Sequence, residues 1–358
     1  MNIALLTCNA RSVPPKKSGG IEKIMFSLLT GLQKHGHTIT LFASGDSQVP
    51  AGVELVSVTN TAVEYLSIPD KEKDELNTVL TKKLGSLLLS REKEFDIIHN
   101  HCLDAALPVL EQLPPEKTPT TIHEAVEPDA ISRINRVLTY PFISVSNTQR
   151  SPLPNLSYLS TIHNAVSVSD YPLPSLPKDY IVFVGRISQQ KTPHLAIQLA
   201  KRLGKKLLIL GKYKDEHIEK DYFEETFLPK LKNNLSFVNW IGEKTEQEVM
   251  SYFQHALFSI HTASFQDPCP LSPIESMASG CPVLALSKGA YPEIIEQGKT
   301  GFVGKTIEEL ELYAQQISSI DRNYCRKYVE TKFNTTQMVT AYEHAYQQLL
   351  SKRAHLSP

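Results

Sequence analysis

The sequence is poor in cysteine and carries no excess of charge of either sign. Its five cysteines, Cys8, Cys102, Cys269, Cys281 and Cys325, are odd in number and scattered, and no C-x-x-C pair occurs. That pattern argues against a disulfide framework and against a structural zinc site. Lys plus Arg count 37 against 38 for Asp plus Glu, a formal net charge of -1. No global field therefore favours nucleic acid or an anionic membrane, and an anionic ligand must be held by local devices. No apolar run approaches the roughly 20 residues that a membrane span needs. The chain starts directly with the strand-like Met-Asn-Ile-Ala-Leu-Leu-Thr and shows no basic leader, so no secretory signal is expected and a reducing cytoplasm is the default setting. The dinucleotide fingerprint G-x-G-x-x-G is also missing, which disfavours a nicotinamide enzyme.

What is present is an alternation of short apolar runs with amphipathic stretches. With 358 residues, two domains are the first expectation. Ile3–Leu6, Thr38–Phe42, Ile97–Ile98, Thr120–Ile122 and Phe142–Val145 read as buried strands. Helices are expected over Ile21–Lys34 and Lys71–Glu94, the second on the three- and four-residue steps of Leu76, Val79, Leu80, Leu84, Leu87 and Leu88. Pro172, Pro174 and Pro177 mark Ser167–Asp179 as a linker. The rhythm then restarts with strands at Ile181–Val184, Lys206–Leu210, Leu235–Val238, Phe258–His261 and Val283–Leu286, and helices near His194–Arg202 and Glu246–His255. Strand and helix in this order predict parallel sheets covered on both faces, one in each half. Met338, Ala341, Tyr342, Ala345, Tyr346, Leu349 and Leu350 form one helical stripe near the C-terminus.

Three constellations carry candidate chemistry. Gly19 and Gly20 lie between the first strand and the first helix, where the backbone can approach a phosphate and helical N–H groups face it. The plainer reading is an ordinary turn with Ser18 near the N-cap. Arg186 and Lys191 follow the strand Ile181–Val184. They offer a guanidinium fork and a point charge to a pyrophosphate, against the plainer reading of two solvated cations. Their place at the carboxyl end of a domain's first strand favours the ligand. The third runs from Phe265 to Val283. Asp267 and Glu275 bracket a loop that turns into a helix, with Ser272 expected at the N-cap, Pro273 at the first helical position and Gly280 just past the end. Glu275 is placed in the first turn, where the helix dipole favours a carboxylate.

These residues resemble the family-4 type of GT-B glycosyltransferases over nearly the full chain. The family hallmark, two acids separated by seven residues and then A-M-A-x-G-x-P-V, is matched by Asp267, Glu275 and Ser276-Met277-Ala278-Ser279-Gly280-Cys281-Pro282-Val283. Supporting matches are Gly19–Gly20, His35–Ile39, Asp96–His99, His163–Val166, Phe183–Arg186 and Gly298–Phe302; Thr40–Ser47 and Asp221–Phe223 look closest to the avilamycin-type subgroup.

The resemblance implies two Rossmann-like doubly wound α/β domains facing across a cleft. Residues 1–166 would form the acceptor side, with a C-terminal helix over 336–358 crossing back to it, and residues 167–335 the donor side. It implies a retaining, metal-independent transfer of a hexose-type sugar from a nucleotide sugar, UDP or GDP type, with no cofactor. Gly19 and Gly20 would face the donor phosphate. Arg186, Lys191 and the amides of Leu271 and Ser272 would grip the diphosphate. Glu275 would accept the ribose hydroxyls and Asp267 those of the transferred sugar. His123 would contact the sugar near its reacting carbon, with His99 and His101 as rivals. The acceptor, a glycan, lipid-linked sugar or small molecule, is not specified by loops 49–57 and 125–133, and the oligomeric state is not specified either. The lysines of Lys71–Glu94 suit a solvated face, with at most peripheral membrane contact.

Three positions depart from the family pattern: Asp267 where Glu is usual, and Pro270 and Ala165 where glycine is usual. Pro270 removes one phosphate-binding N–H. The departures keep open a non-catalytic nucleotide-sugar binder of the same fold. An epimerase would need further acid–base residues that the sequence does not reveal.

Overall fold

A computed structural model describes residues 1–17, 19–126, 134, 139–213 and 217–356. The chain divides into two compact units, residues 1–164 with 335–358, and residues 165–334.

The first unit holds β1 (Asn2–Leu6), β2 (Thr38–Phe42), β3 (Glu54–Val56), β4 (Ile97–Asn100), β5 (Thr120–Ile122), β6 (Phe142–Ser144) and β7 (Tyr158–Thr161). They form one parallel sheet in the order β3-β2-β1-β4-β5-β6-β7. The second unit holds β8 (Ile181–Val184), β9 (Leu207–Leu210), β10 (Val238–Gly242), β11 (Ser259–His261), β12 (Val283–Leu286) and β13 (Gly301–Gly304), in the order β10-β9-β8-β11-β12-β13. Strands such as Val-Leu-Ala-Leu of β12 are buried throughout, because helices cover both faces of a parallel sheet.

Several expected bounds move. Helix Asp70–Ser90 stops before Glu94, and a short turn Glu92–Glu94 follows. Arg91 leaves the helix there, and its guanidinium bonds Glu54 at 2.8 Å and Glu94 at 2.7 Å. The strand expected at Leu235–Val238 runs instead from Val238 to Gly242, with Leu235 exposed. Strands β3, β7 and β13 were not foreseen.

The C-terminal stripe is one helix, Thr335–Leu356, packed on Gly20–Lys34 within the first unit. Met338, Tyr342, Ala345, Tyr346 and Leu349 are buried. Gly31 makes this approach possible, since a Cβ there would lie 2.4 Å from Val339 Cγ2. At the end of the same contact, Glu343 bonds His35 Nδ1 at 2.8 Å and His37 Nε2 at 2.7 Å.

The cysteine scatter did not point to a pairing, yet Cys8 and Cys102 are joined as a disulfide, with Cα atoms 5.5 Å apart. The two residues follow the neighbouring strands β1 and β4 closely, so the sheet brings them together across 94 residues of sequence. Among the described residues, no helix is long and apolar enough to cross a membrane.

Candidate functional site

In the second unit the chain leaves β8 for β9 and β10 on one side, then returns to β11, β12 and β13 on the other. Such a reversal opens a crevice beyond the carboxyl ends of the two central strands. The segments that leave those ends carry the sequence candidates: 185–192 after β8 and 262–270 after β11.

Thr262 ties the two segments together. Its hydroxyl donates to the Thr192 carbonyl at 2.9 Å, and the Thr192 hydroxyl donates back to the Thr262 carbonyl. The Ser264 N–H adds a bond to the Gln190 carbonyl at 2.9 Å. Lys191 is thereby held against Asp267, and the two form an ion pair with side-chain exposures of 20% and 8%. The Lys191 ammonium also stands 5.3 Å from the centre of the Phe265 ring.

The fully buried Tyr291 lies close enough to Asp267 to feel its charge. Burial, then the Asp267 charge, hold the Tyr291 phenol well above its ordinary pKa, so it remains a donor. The loop that brings Tyr291 is fixed by Gly289 N–H to Gln266 Oε1 at 2.7 Å and by Ala290 N–H to the Asp267 carbonyl at 2.9 Å. Arg186 is more open. It bonds Glu219 Oε1 at 2.8 Å and Gln190 Oε1 at 3.2 Å.

The helix after this loop starts earlier than its sequence suggests. It spans Leu271–Ala278, with Pro270 at the N-cap in extended conformation and no side-chain cap. Pro270 lacks a donor but its carbonyl can still begin the helix. Ser272 is therefore the second helical residue rather than the cap, and Pro273 the third. Glu275 lies beyond the first turn, so the dipole does not explain its position. Gly280 stands where expected, just after the C-cap Ser279, with φ of 73°.

Freed from capping, the Ser272 hydroxyl lies 3.4 Å from His261 Nδ1, and His261 Nε2 lies 3.0 Å from Ser259 Oγ. Ser276 Oγ continues the chain to Ser259 at 2.8 Å. Burial, reinforced by the Lys191 charge, pushes the His261 imidazole down to about 3, so it is neutral at ordinary pH. The buried Glu275 accepts from the Tyr171 hydroxyl at 3.5 Å. Tyr171 is placed in turn by Arg326, which bonds its carbonyl at 3.0 Å and the Ala278 carbonyl at the helix end, also at 3.0 Å.

The second unit thus pairs Lys191 with Asp267 and continues from the Asp267 loop into the helix that opens with the Leu271 and Ser272 amides and carries Glu275. The first N–H groups of a helix have no intrahelical acceptor. Sequence reading overlooked Thr262, His261, Tyr291 and Tyr171. His261 ends the strand Phe258–His261, which was the available signal.

In the first unit, Gly19 precedes the helix Gly20–Lys34. A Cβ on Gly19 would meet Pro15 Cβ at 2.7 Å and Glu22 Oε2 at 2.8 Å. Ser18, the expected N-cap neighbour, lies outside the described residues, as does most of the 125–133 loop. Three histidines meet at the carboxyl ends of β4 and β5. His123 Nε2 is 2.8 Å from His101 Nδ1, and the His101 ring lies 3.9 Å from that of His99. His99 is buried and bonds Tyr346 at 2.6 Å and Thr121 at 2.8 Å. Burial lowers the His123 imidazole to about 4. Among the described residues, no group of three or more His, Cys, Asp or Glu is placed to hold a metal ion.

Comparison with known proteins agrees with this architecture. Residues 18–166 match the family model Glycosyltransferase Family 4, and residues 172–334 match Glycosyl transferases group 1. Spore coat protein SA of Bacillus subtilis is 22% identical, with 89% of this chain and 90% of that protein covered. The structure of AviGT4, a glycosyltransferase involved in avilamycin A biosynthesis, superposes with a TM-score of 0.70 at 19% identity, over 98% of each chain. The structure of Anabaena HepE in complex with UDP and glucose gives a TM-score of 0.71 at 18% identity, over 97% of this chain and 99% of that one. The two family models together span both Rossmann-like units, and the chain belongs to the group 1, family-4 type of glycosyltransferases with the GT-B fold.

Proposed function

We propose that the chain transfers a hexose-type sugar from a nucleoside diphosphate sugar to a hydroxyl acceptor, with retention at the anomeric carbon and without a metal. The observation that supports this reading is the Lys191–Asp267 ion pair, formed between the segments after β8 and β11 and followed in the chain by the helix that starts with the Leu271 and Ser272 amides and bears Glu275. A nucleotide sugar has one part for each. Lys191, Arg186 and the amides of Leu271 and Ser272 serve the diphosphate. The Glu275 carboxylate accepts from ribose hydroxyls, and Asp267 accepts from hydroxyls of the transferred sugar. In the first unit, Gly19 and Gly20 serve the phosphate and His123 the sugar. UDP is the first nucleotide to test, since HepE was solved with UDP and glucose.

The bond that breaks joins the anomeric carbon to the phosphate oxygen, and the leaving nucleoside diphosphate takes the electron pair. The acceptor oxygen forms the new bond on the same face, and its proton passes to the departing phosphate. Cations and amides already aimed at the leaving group lower the barrier, and one such donor is worth about 2.7–4 kcal/mol. The Lys191–Asp267 pair keeps the ammonium in position before the donor arrives.

The test is mass spectrometry of UDP-glucose, UDP-N-acetylglucosamine and GDP-mannose incubated with the wild type, Lys191→Ala and Glu275→Ala. The wild type consumes at least one donor and both variants lose most of that activity. Equal consumption by all three defeats the assignment. Pro270 at the N-cap favours one other reading, a non-catalytic binder of the same fold. UDP binding with no donor consumed supports that reading.

A further inference from the structure

Of the polar atoms around the three-histidine cluster, His101 Nε2 stands out. It is buried and has no hydrogen-bond partner among the described residues. Its neighbours are already committed. Both nitrogens of His99 are engaged, by Tyr346 and Thr121, and the Thr121 hydroxyl also lies 3.4 Å from Tyr342.

We propose that His101 is a positioning residue for His123: it donates its Nδ1–H to His123 Nε2 and so holds the His123 proton on Nδ1. This rests on the reading of His123 as a sugar contact. The bond itself is 2.8 Å long. Only two arrangements of one proton fit it. If His123 donated from Nε2, His101 would carry its own proton on Nε2, where no acceptor among the described residues reaches it. Buried N–H groups left unpaired are rare in folded proteins. If His101 donates instead, the buried atom without a partner is a lone pair, and the remaining N–H is on Nδ1 of the half-buried His123, where a ligand can meet it. Both rings are neutral at ordinary pH, because burial lowers their basicity. A neutral imidazole has one donor and one acceptor nitrogen, so fixing one fixes the other. His123 then offers an N–H, rather than a lone pair, on the nitrogen away from His101. That form suits a sugar oxygen, which can accept.

The experiment labels histidine nitrogen in the full chain and reads each ring's tautomer from two-bond nitrogen–proton correlations at neutral pH. His101→Gln and His123→Gln supply the assignments. Wild-type His123 is expected with its proton on Nδ1. His101→Ala is expected to release it to the Nε2–H form that an unrestrained imidazole prefers in water. His101→Gln keeps an amide donor for His123 Nε2 and is expected to preserve the wild-type form.

Turnover of the donor consumed in the panel should follow the tautomer. His101→Ala lowers kcat about 10-fold, the effect of one hydrogen bond, and His101→Gln restores most of it. A proton on Nε2 of wild-type His123 overturns the proposal, as does equal loss of kcat in both variants. If the tautomer is as expected but His123→Ala turns over donor at the wild-type rate, the positioning stands and the sugar contact falls.

Discussion

Lys191 and Asp267, 76 residues apart in sequence, form a largely buried ion pair at the carboxyl ends of two adjacent strands. A buried pair responds strongly when one partner is removed, because the other charge is left unpaired. Lys191→Ala should lower stability by about 1–3 kcal/mol, less than for a fully dry pair. Asp267→Asn added to that variant should recover part of the loss. Urea unfolding of the four proteins of the cycle measures the coupling. Additive effects would mean that the pair contributes nothing.

Gly31 gives a test of the helix contact in the first unit. In an exposed helix, Gly→Ala stabilises by up to about 1 kcal/mol. Here a Cβ would lie 2.4 Å from Val339 Cγ2, and overpacking of that kind costs about 1–3 kcal/mol. The steric term wins, so Gly31→Ala should lower the melting temperature. Val339→Ala in the same chain should restore part of it. A melting temperature that rises in Gly31→Ala alone would show that the helices can separate at no cost.

The buried histidines set a pH dependence. His261 is held near 3 and His99 and His101 well below their ordinary value, all chiefly by burial. Above about pH 6.5 these groups are neutral in both the folded and unfolded chain and add no pH dependence. As pH falls, the unfolded chain takes up protons that the folded one refuses, so stability declines. By pH 5 the refusal of His261 to take up a proton costs about 2 kcal/mol. His261→Gln should therefore show a shallower decline of stability between neutral pH and about pH 5 than the wild type. Parallel curves for the two proteins would contradict the neutral buried state of His261.

Pro270 offers a gain-of-function test. Glycine at this position returns an N–H to the start of the helix Leu271–Ala278. A hydrogen bond to a charged phosphate is worth about 1.5–3 kcal/mol, against about 0.5–1 kcal/mol for the added backbone freedom. Pro270→Gly should tighten UDP binding about three- to tenfold in calorimetric titration. Unchanged or weaker binding would place the diphosphate away from this N-cap.

Much of this architecture was legible in the sequence. The apolar runs at Ile181–Val184 and Val283–Leu286 are strands in full, because a strand buried on both faces must be apolar throughout. The strands β3 and β7 were missed because each has exposed or half-buried residues and no such run. β13 begins and ends on glycine, which reads as turn chemistry. The start of the Leu271–Ala278 helix was misplaced because Ser272 and Pro273 fit the usual capping residues better than Pro270 does. What sequence could not supply is adjacency. Nothing local says that β8 lies beside β11, and so nothing local predicts that Thr262 anchors the Lys191 segment or that Ala290 bonds the Asp267 carbonyl. The meeting of His101 with His123 depends in the same way on β4 lying beside β5.

The most direct test of the donor site is calorimetric titration of UDP into the wild type, Lys191→Ala and Glu275→Ala, with circular dichroism confirming that each variant is folded. Each side chain is assigned to a different part of the nucleotide, so each loss should weaken binding on its own. UDP should bind the wild type at one site, with affinity reduced about tenfold or more in each variant, the effect of losing one hydrogen bond to a charged group. A wild type that binds UDP with an affinity shared by both variants would contradict the placement of the nucleotide beyond β8 and β11.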